Sequence, residues 1–258
     1  MKIGICAKIT PDTDTQVKIQ GDGIDSNGVK YVISPYDAFA IEEAIRTKEA
    51  HGGEVVSFTV GDASVLNQLR KGCLALGADR AVIVSDGAAL ATDSLGIARV
   101  LAGAIKRDET DLVFCGKQAI DDDNVQVPAM VAEILDWALV SRVVEFSVDG
   151  DSFTATRSMD GGVQEVVTGK LPAVITTDRG LNTPRYAKLP AIMKAKKKPV
   201  NNLELGDVGL SADDIAPAVR TVSWGEPPPR PQGRLIEGDV DTAVAELVRL
   251  LREEAKVI

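Results

Sequence analysis

The 258-residue sequence contains one histidine, His51, so neither a Ser-His-Asp constellation nor a paired-histidine metal site can be assembled from it. Its three cysteines, Cys6, Cys73 and Cys115, are odd in number and form no CxxC pair, which disfavours both a disulfide framework and a zinc site. Cys6 and Cys115 fall within apolar strand-like runs and read as packing residues. Both common phosphate loops are missing: no G-x-G-x-x-G follows the first strand-like run, and no G-x-x-x-x-G-K-[ST] occurs. No apolar run is long enough to span a bilayer, and "MKIGICAKITPDT" lacks the marks of a signal peptide. A cytoplasmic protein without direct membrane insertion is therefore expected. The charge balance, 29 basic against 38 acidic residues and a net charge of -9, argues against general binding to nucleic acid. A chain of this size with so little catalytic equipment suits holding a cofactor better than acid-base chemistry.

What is present is ordinary globular material, 45% hydrophobic and 26% charged, enough for one large domain with an appendage. Continuous apolar runs at 2–9, 54–60, 80–85 and 111–116 have the character of strands covered on both faces of a parallel sheet. Helical patterns separate them. In "SPYDAFAIEEAIRTKEAHGG", Ser34 suits the N-cap and Pro35 the first helical position, and Gly52 and Gly53 end the segment. Ala38, Ile41 and Ile45 share a face, and Glu42 is expected to pair with Arg46 four residues on. Further helices are predicted over 63–76, 93–107 and from within or just after the 116–128 stretch to about 135. This alternation implies an α/β layer sandwich built from right-handed crossovers. From 142 to 178 the pattern changes to alternating runs separated by Asp-Gly and Gly-Gly turns, read as antiparallel strands leading into a last buried strand, "PAVITT". The prolines of "EPPPRPQGR" favour an extended linker, and 239–254 forms an amphipathic helix that needs an apolar surface to dock on.

Two stretches carry candidate chemistry. "GKQAIDDDNVQVP", residues 116–128, stands at a strand's carboxyl end before a helix, where α/β sheets bind ligands. Backbone amides there can accept phosphate, and aspartates can cap amides or bind hydroxyl and amine groups. A solvated acidic turn and a magnesium site are the competing readings, the latter without a second acidic cluster. "KAKKK", Lys194 to Lys198, is the one dense basic run. It follows Leu189, Ile192 and Met193, so an apolar anchor with a cationic rim for an acidic partner stands against a solvated face.

Five blocks taken in order, "GVKYVISPYDAFAIEEAIRTKE", "LALGADRA", "GKQAIDDDNVQ", "MDGGVQEVVTGKLPAVITTD" and "LNTPRYAKLPAIMKAKKK", resemble the beta subunit of electron transfer flavoprotein. The resemblance implies an adenine nucleotide alpha-hydrolase-like, nucleotide-binding α/β sandwich over 1–190, with an antiparallel extension. Residues 191–258 would supply the end of a docking loop, a linker and a C-terminal arm wrapping an alpha subunit that carries FAD. It further implies a structural AMP held by Cys6, by the turn Ser34, Pro35, Tyr36 and Asp37, by Val60, and by Lys117, Gln118, Ala119, Ile120, Asp121, Asp122, Asp123, Asn124, Val125, Gln126, Val127 and Pro128. Contacts to adenine would come mostly from backbone, and amides near 123–128 would hold phosphate. Tyr186, Leu189, Ile192, Met193, Lys194 and Lys197 would meet an acyl-CoA dehydrogenase, with Leu189 as anchor, and electrons would leave to a flavoprotein-quinone oxidoreductase. No residue of this chain need be an acid, base or nucleophile. A second branch of the family binds a second FAD in place of AMP and bifurcates electrons from NADH. Asp122 in "IDDDNVQVP" matches the AMP form, whereas "AKITPDTDTQVKI" with Thr13, and Val127, match the bifurcating one; AMP is the expected occupant. A stand-alone adenine-nucleotide-binding protein of similar fold is the third reading.

Overall fold

The computed structural model describes residues 1–21, 23–230 and 232–258. In chain order the strands and helices begin with β1 (Lys2–Cys6), β2 (Ile9–Pro11), β3 (Ile19–Gln20), β4 (Gly23–Ile24), β5 (Tyr31–Ile33) and α1 (Pro35–His51). Then come β6 (Glu54–Val60), α2 (Leu66–Leu69), β7 (Arg80–Val84), α3 (Gly87–Leu90), α4 (Ser94–Arg107), β8 (Leu112–Gly116) and α5 (Val127–Leu135). The remainder is β9 (Ala138–Asp149), β10 (Ser152–Ser158), β11 (Gln164–Lys170), β12 (Ala173–Thr177), α6 (Leu189–Ala195), β13 (Val200–Leu203) and α7 (Val240–Glu253). Two compact units result, one of Met1–Lys18 with Asp25–Val222, the other of Ile19–Ile24 with Ser223–Ile258. This division assigns α6, which spans residue 190, and β13, which follows it, to the first unit.

The first unit is organised by a nine-stranded sheet in the order β11-β10-β9-β12-β8-β1-β6-β7-β13. Pairing is parallel from β9 to β13 and antiparallel at β9-β10-β11. The "PAVITT" strand, β12, lies inside the sheet, parallel to both β9 and β8. Strand periodicity distributes the core over two faces. Ile3, Ile5, Leu112 and Phe114 pack with Ile41 and Ile45 of α1 on one face. Val113 and Cys115 pack with Leu101 and Ile105 of α4 and Val131 of α5 on the other. Each such fully buried large side chain contributes about 1.5–3 kcal/mol, which explains why the strands read as unbroken apolar runs.

α1 begins and ends where expected, with Pro35 in its first turn and Gly52 in a positive-φ conformation donating its N–H to Lys48. Two local expectations fail. The Ser34 hydroxyl makes no cap bond, and Arg46 pairs with Glu43 at 3.4 Å instead of Glu42, because Glu42 is buried against a more distant arginine. The 63–76 segment is helical in three pieces, a 3-10 turn capped by Asp62, then α2, then a π stretch at Arg70–Leu74.

In the second unit, Asp239 caps α7 by accepting from the Thr242 N–H at 2.9 Å. The helix has no buried residue, and Val240, Val244 and Leu247 are exposed. Its polar side is laced by Arg249, whose guanidinium bonds Glu246 and Glu253. The proline-rich stretch shows no regular structure over 226–230 and 232–236; Pro231, part of the predicted linker, lies outside the described residues.

Candidate functional site

From β1 the chain builds outward to β6 and β7, then returns to β1's other flank as β8. The carboxyl ends of β1 and β8 therefore bracket a topological switch point, the place where open α/β sheets receive ligands. Asp37, in the first turn of α1, joins those two ends. Its Oδ2 accepts the Lys8 N–H at 2.7 Å and its Oδ1 accepts the Gly116 N–H at 2.9 Å. The Thr177 hydroxyl donates to the Tyr36 and Cys115 carbonyls, both at 3.2 Å. Backbone approach is close enough to require glycine at 116, where a Cβ would lie 2.5 Å from Asp37 Oδ1 and 2.7 Å from its backbone nitrogen. Burial pushes the Asp37 carboxyl up to about 7, outweighing the two amide bonds that favour its charged form.

Cys6 and Cys115 are opposite each other across β1 and β8. Their shared hydrogen bond and burial raise the Cys115 thiol well above its ordinary value, so it is a poor source of thiolate. Val60 closes β6 at the same end of the sheet.

The aspartates of the loop after β8 are exposed but already engaged by neighbouring side chains. Lys8 Nζ reaches Asp121 at 2.9 Å and Asp122 at 2.8 Å. Burial alone would raise Asp122, but the Lys8 bond and the Asn124 N–H hold it below the usual range. Burial opposes the charge on Lys8, and Asp122 and Asp121 raise its pKa in spite of it. Gln118 donates to Asp123 at 2.8 Å. Among the described residues no group of three or more His, Cys, Asp or Glu side chains is placed to hold a metal ion. Two cationic residues that spacing did not single out complete this edge, Lys8 and Arg142. Lys117 bonds Asp178 at 2.9 Å and lies 4.9 Å from the Tyr36 ring centroid. Arg142 approaches the same Asp178 at 3.8 Å from a left-handed backbone conformation where β9 shifts register against β12. Lys8 has a sequence signal, a lysine two residues past a strand that enters the switch point; Arg142, in an alternating strand, has none.

A phosphate group fits this donor set. Asp123 and Val125 both have positive φ, and Val125 precedes a right-handed Gln126, an alternation that gathers N–H groups into an anion cradle. Gln126 supplies no side-chain cap to α5, so its first amides are free of side-chain competition. The Ser34 hydroxyl is buried without a partner. A cavity of about 670 Å³ lies elsewhere, beside β13 and the last turn of α4, lined by Arg107, Asp108, Asn201, Asn202 and Asp207 among others.

The docking residues form a second cluster. Tyr186, Leu189 and Met193 are exposed, Leu189 by 73%, whereas Ile192 is half-buried. Lys194 and Lys197 are exposed beside them. Lys198 turns inward, donating to the Leu74 carbonyl at 2.8 Å, and is not part of the cationic rim. Upstream, Arg185 grips Glu42 and Glu49 of α1.

No helix among the described residues is long and apolar enough to cross a membrane. Residues 23–208 match the electron transfer flavoprotein domain. The chain is 39% identical over its whole length to the whole of an electron transfer flavoprotein subunit beta from Bacillus subtilis. It is 38% identical, again over 100% of both chains, to the subunit beta of Bradyrhizobium diazoefficiens. To the human subunit beta it is 37% identical over 100% of this chain and 99% of that one. With a domain match across most of the chain and end-to-end identity at this level, the protein belongs to the electron transfer flavoprotein beta-subunit family.

Proposed function

We propose that the chain is the non-catalytic half of a heterodimeric electron carrier, holding a structural AMP while an alpha subunit carries FAD. The observation that carries this reading is the state of the switch point. Its charged side chains are already paired with one another, Lys8 with Asp121 and Asp122, Lys117 with Asp178, so a ligand meets mainly backbone groups, as suits recognition rather than reaction. Asp37, Lys8 and Gly116 fix the strand ends, the 117–128 loop presents amides to phosphate, and Cys6, Ser34 and Val60 would face adenine. FAD, when bound in the heterodimer, supplies the redox chemistry. Reducing equivalents would enter from an acyl-CoA-type dehydrogenase and leave to a flavoprotein-quinone oxidoreductase. Leu189, with Tyr186 and Met193, would be the apolar anchor for the dehydrogenase, and Lys194 and Lys197 would speed encounter with an acidic surface. The exposed apolar face of α7 and the preceding linker would form the arm that wraps the alpha subunit.

The test is to purify the chain with its co-expressed alpha subunit and quantify released nucleotides. One FAD and one AMP per heterodimer is the expected result. Two FAD would replace this reading with the bifurcating one, which Thr13 and Val127 favour, and a nucleotide-bearing monomer that recovers no alpha subunit would indicate a stand-alone binding protein. For the docking face, Leu189→Ala should slow transfer from the dehydrogenase about tenfold or more, the range of an interface anchor, with nucleotide content unchanged. Wild-type transfer kinetics in that variant would remove Leu189 from the interface.

A further inference from the structure

An exposed anchor binds well only if its backbone is held before the partner arrives, since ordering it on contact subtracts from affinity. The Leu189 segment does little to hold itself. Residues 186–188 have no regular structure, and α6 has seven residues and no side-chain cap, far below the length at which a helix is stable alone. Its order comes from its two ends. Downstream, Ala195 is fully buried and Lys198 is tied to the end of the π stretch. Upstream, Arg185 makes a fork on α1. Its Nε and Nη2 bond Glu42 at 2.9 and 3.0 Å, its Nη1 and Nη2 bond Glu49 at 2.6 and 2.9 Å, and its backbone N–H donates to Glu42 at 3.0 Å. Asn182 adds bonds to the Phe39 carbonyl and to Glu43. Arg185 thus points inward while the next residue, Tyr186, is 94% exposed. One planar guanidinium shared by two carboxylates fixes direction as well as distance, which an ammonium cannot do.

We propose that Arg185, acting through Glu42 and Glu49, is a positioning residue for partner recognition: it sets where Leu189 is presented without touching the partner. This rests on the docking reading above. The test is a double-mutant cycle in the intact heterodimer, measuring the KM and kcat for reduction by the dehydrogenase in wild type, Arg185→Ala, Leu189→Ala and the double variant. The expected result is a KM raised about tenfold in each single variant, kcat little changed, and a double variant within about twofold of Leu189→Ala, since interacting sites are non-additive. Arg185→Lys should recover part of the loss. Multiplying single effects would overturn the positioning role while leaving Leu189 at the interface; an unimpaired Leu189→Ala would overturn the docking reading and this inference with it. Should Arg185→Ala fail to assemble, the cycle is run with Glu49→Gln, whose site is exposed. A KM rise of about threefold that vanishes in the Leu189→Ala background supports the role, and no change in either background counts against it.

Discussion

α1 is fastened at its two ends by opposite physical means. At its amino end a single carboxylate, Asp37, is buried and serves two backbone amides, at the cost of a carboxyl pushed up to about 7 by burial. Farther along, Glu42 and Glu49 share the guanidinium of Arg185, and Glu49 is held below its ordinary value by that bond. The first fastening is short in reach and dry, so it fixes the strand ends that border the proposed nucleotide site. The second is charged on both sides and partly solvated, so it can hold a segment that leads out to a partner. Burial confers rigidity in one place, and geometry confers direction in the other.

The sharpest break of the amino-terminal fastening is Gly116→Ala. Its Cβ would sit 2.5 Å from Asp37 Oδ1 and 2.7 Å from the Tyr36 carbonyl carbon, and since backbone must move, a loss of about 3 kcal/mol or more is expected in urea unfolding. Next in size is a pH effect. The folded Asp37 carboxyl titrates near 7 while the unfolded one titrates near 4, so the folded state holds more protons between those values. Stability from this group is therefore greatest below about pH 4, falls as pH rises to about 7, and is level beyond. Between pH 5 and 8 the fall is on the order of 2–3 kcal/mol, and Asp37→Asn should remove that slope when unfolding midpoints are compared across the range. An unchanged slope would show that the carboxyl stays ionised throughout. Smallest is Glu42→Gln, which weakens the buried side of the Arg185 fork by about 1–2 kcal/mol after allowance for the half-exposed guanidinium. It should leave the pH slope intact, and that separates the two fastenings experimentally.

Element positions were legible where their cause was local, although the Ser34 cap bond is not formed. β6 falls at Glu54–Val60, as its apolar run indicates, and α1 starts at Pro35 and stops before Gly52. The loop 116–128 stands at the carboxyl end of β8 before α5, as its position between an apolar run and a helical pattern implies. What spacing could not supply was partnership across the chain. Glu42 is four residues from Arg46, yet it bonds Arg185, 143 residues away, because a buried carboxylate takes the donor that can fork it. A bound cation is one of the competing readings of the three aspartates from sequence; in the fold two of them, Asp121 and Asp122, bond Lys8, more than 110 residues upstream, and Asp123 accepts from Gln118. β12, read as a last buried strand after the antiparallel set, is buried throughout, and what its sequence leaves unstated is its neighbours: it lies inside the sheet, parallel to both β9 and β8.

α7 has a consequence for how the protein should be handled and how it would be policed in a cell. A 14-residue helix with no buried residue lies near the lower limit of self-sufficiency, so its folding is a gauge of whatever covers its apolar side. The open stretch before it places the Arg234–Leu235 bond, with Leu235 86% exposed, within reach of a protease. Limited trypsin digestion should therefore sever the arm early in the isolated chain and spare it once a partner is seated. Orphan subunits would be marked for removal by the segment that, in the assembled pair, would no longer be accessible.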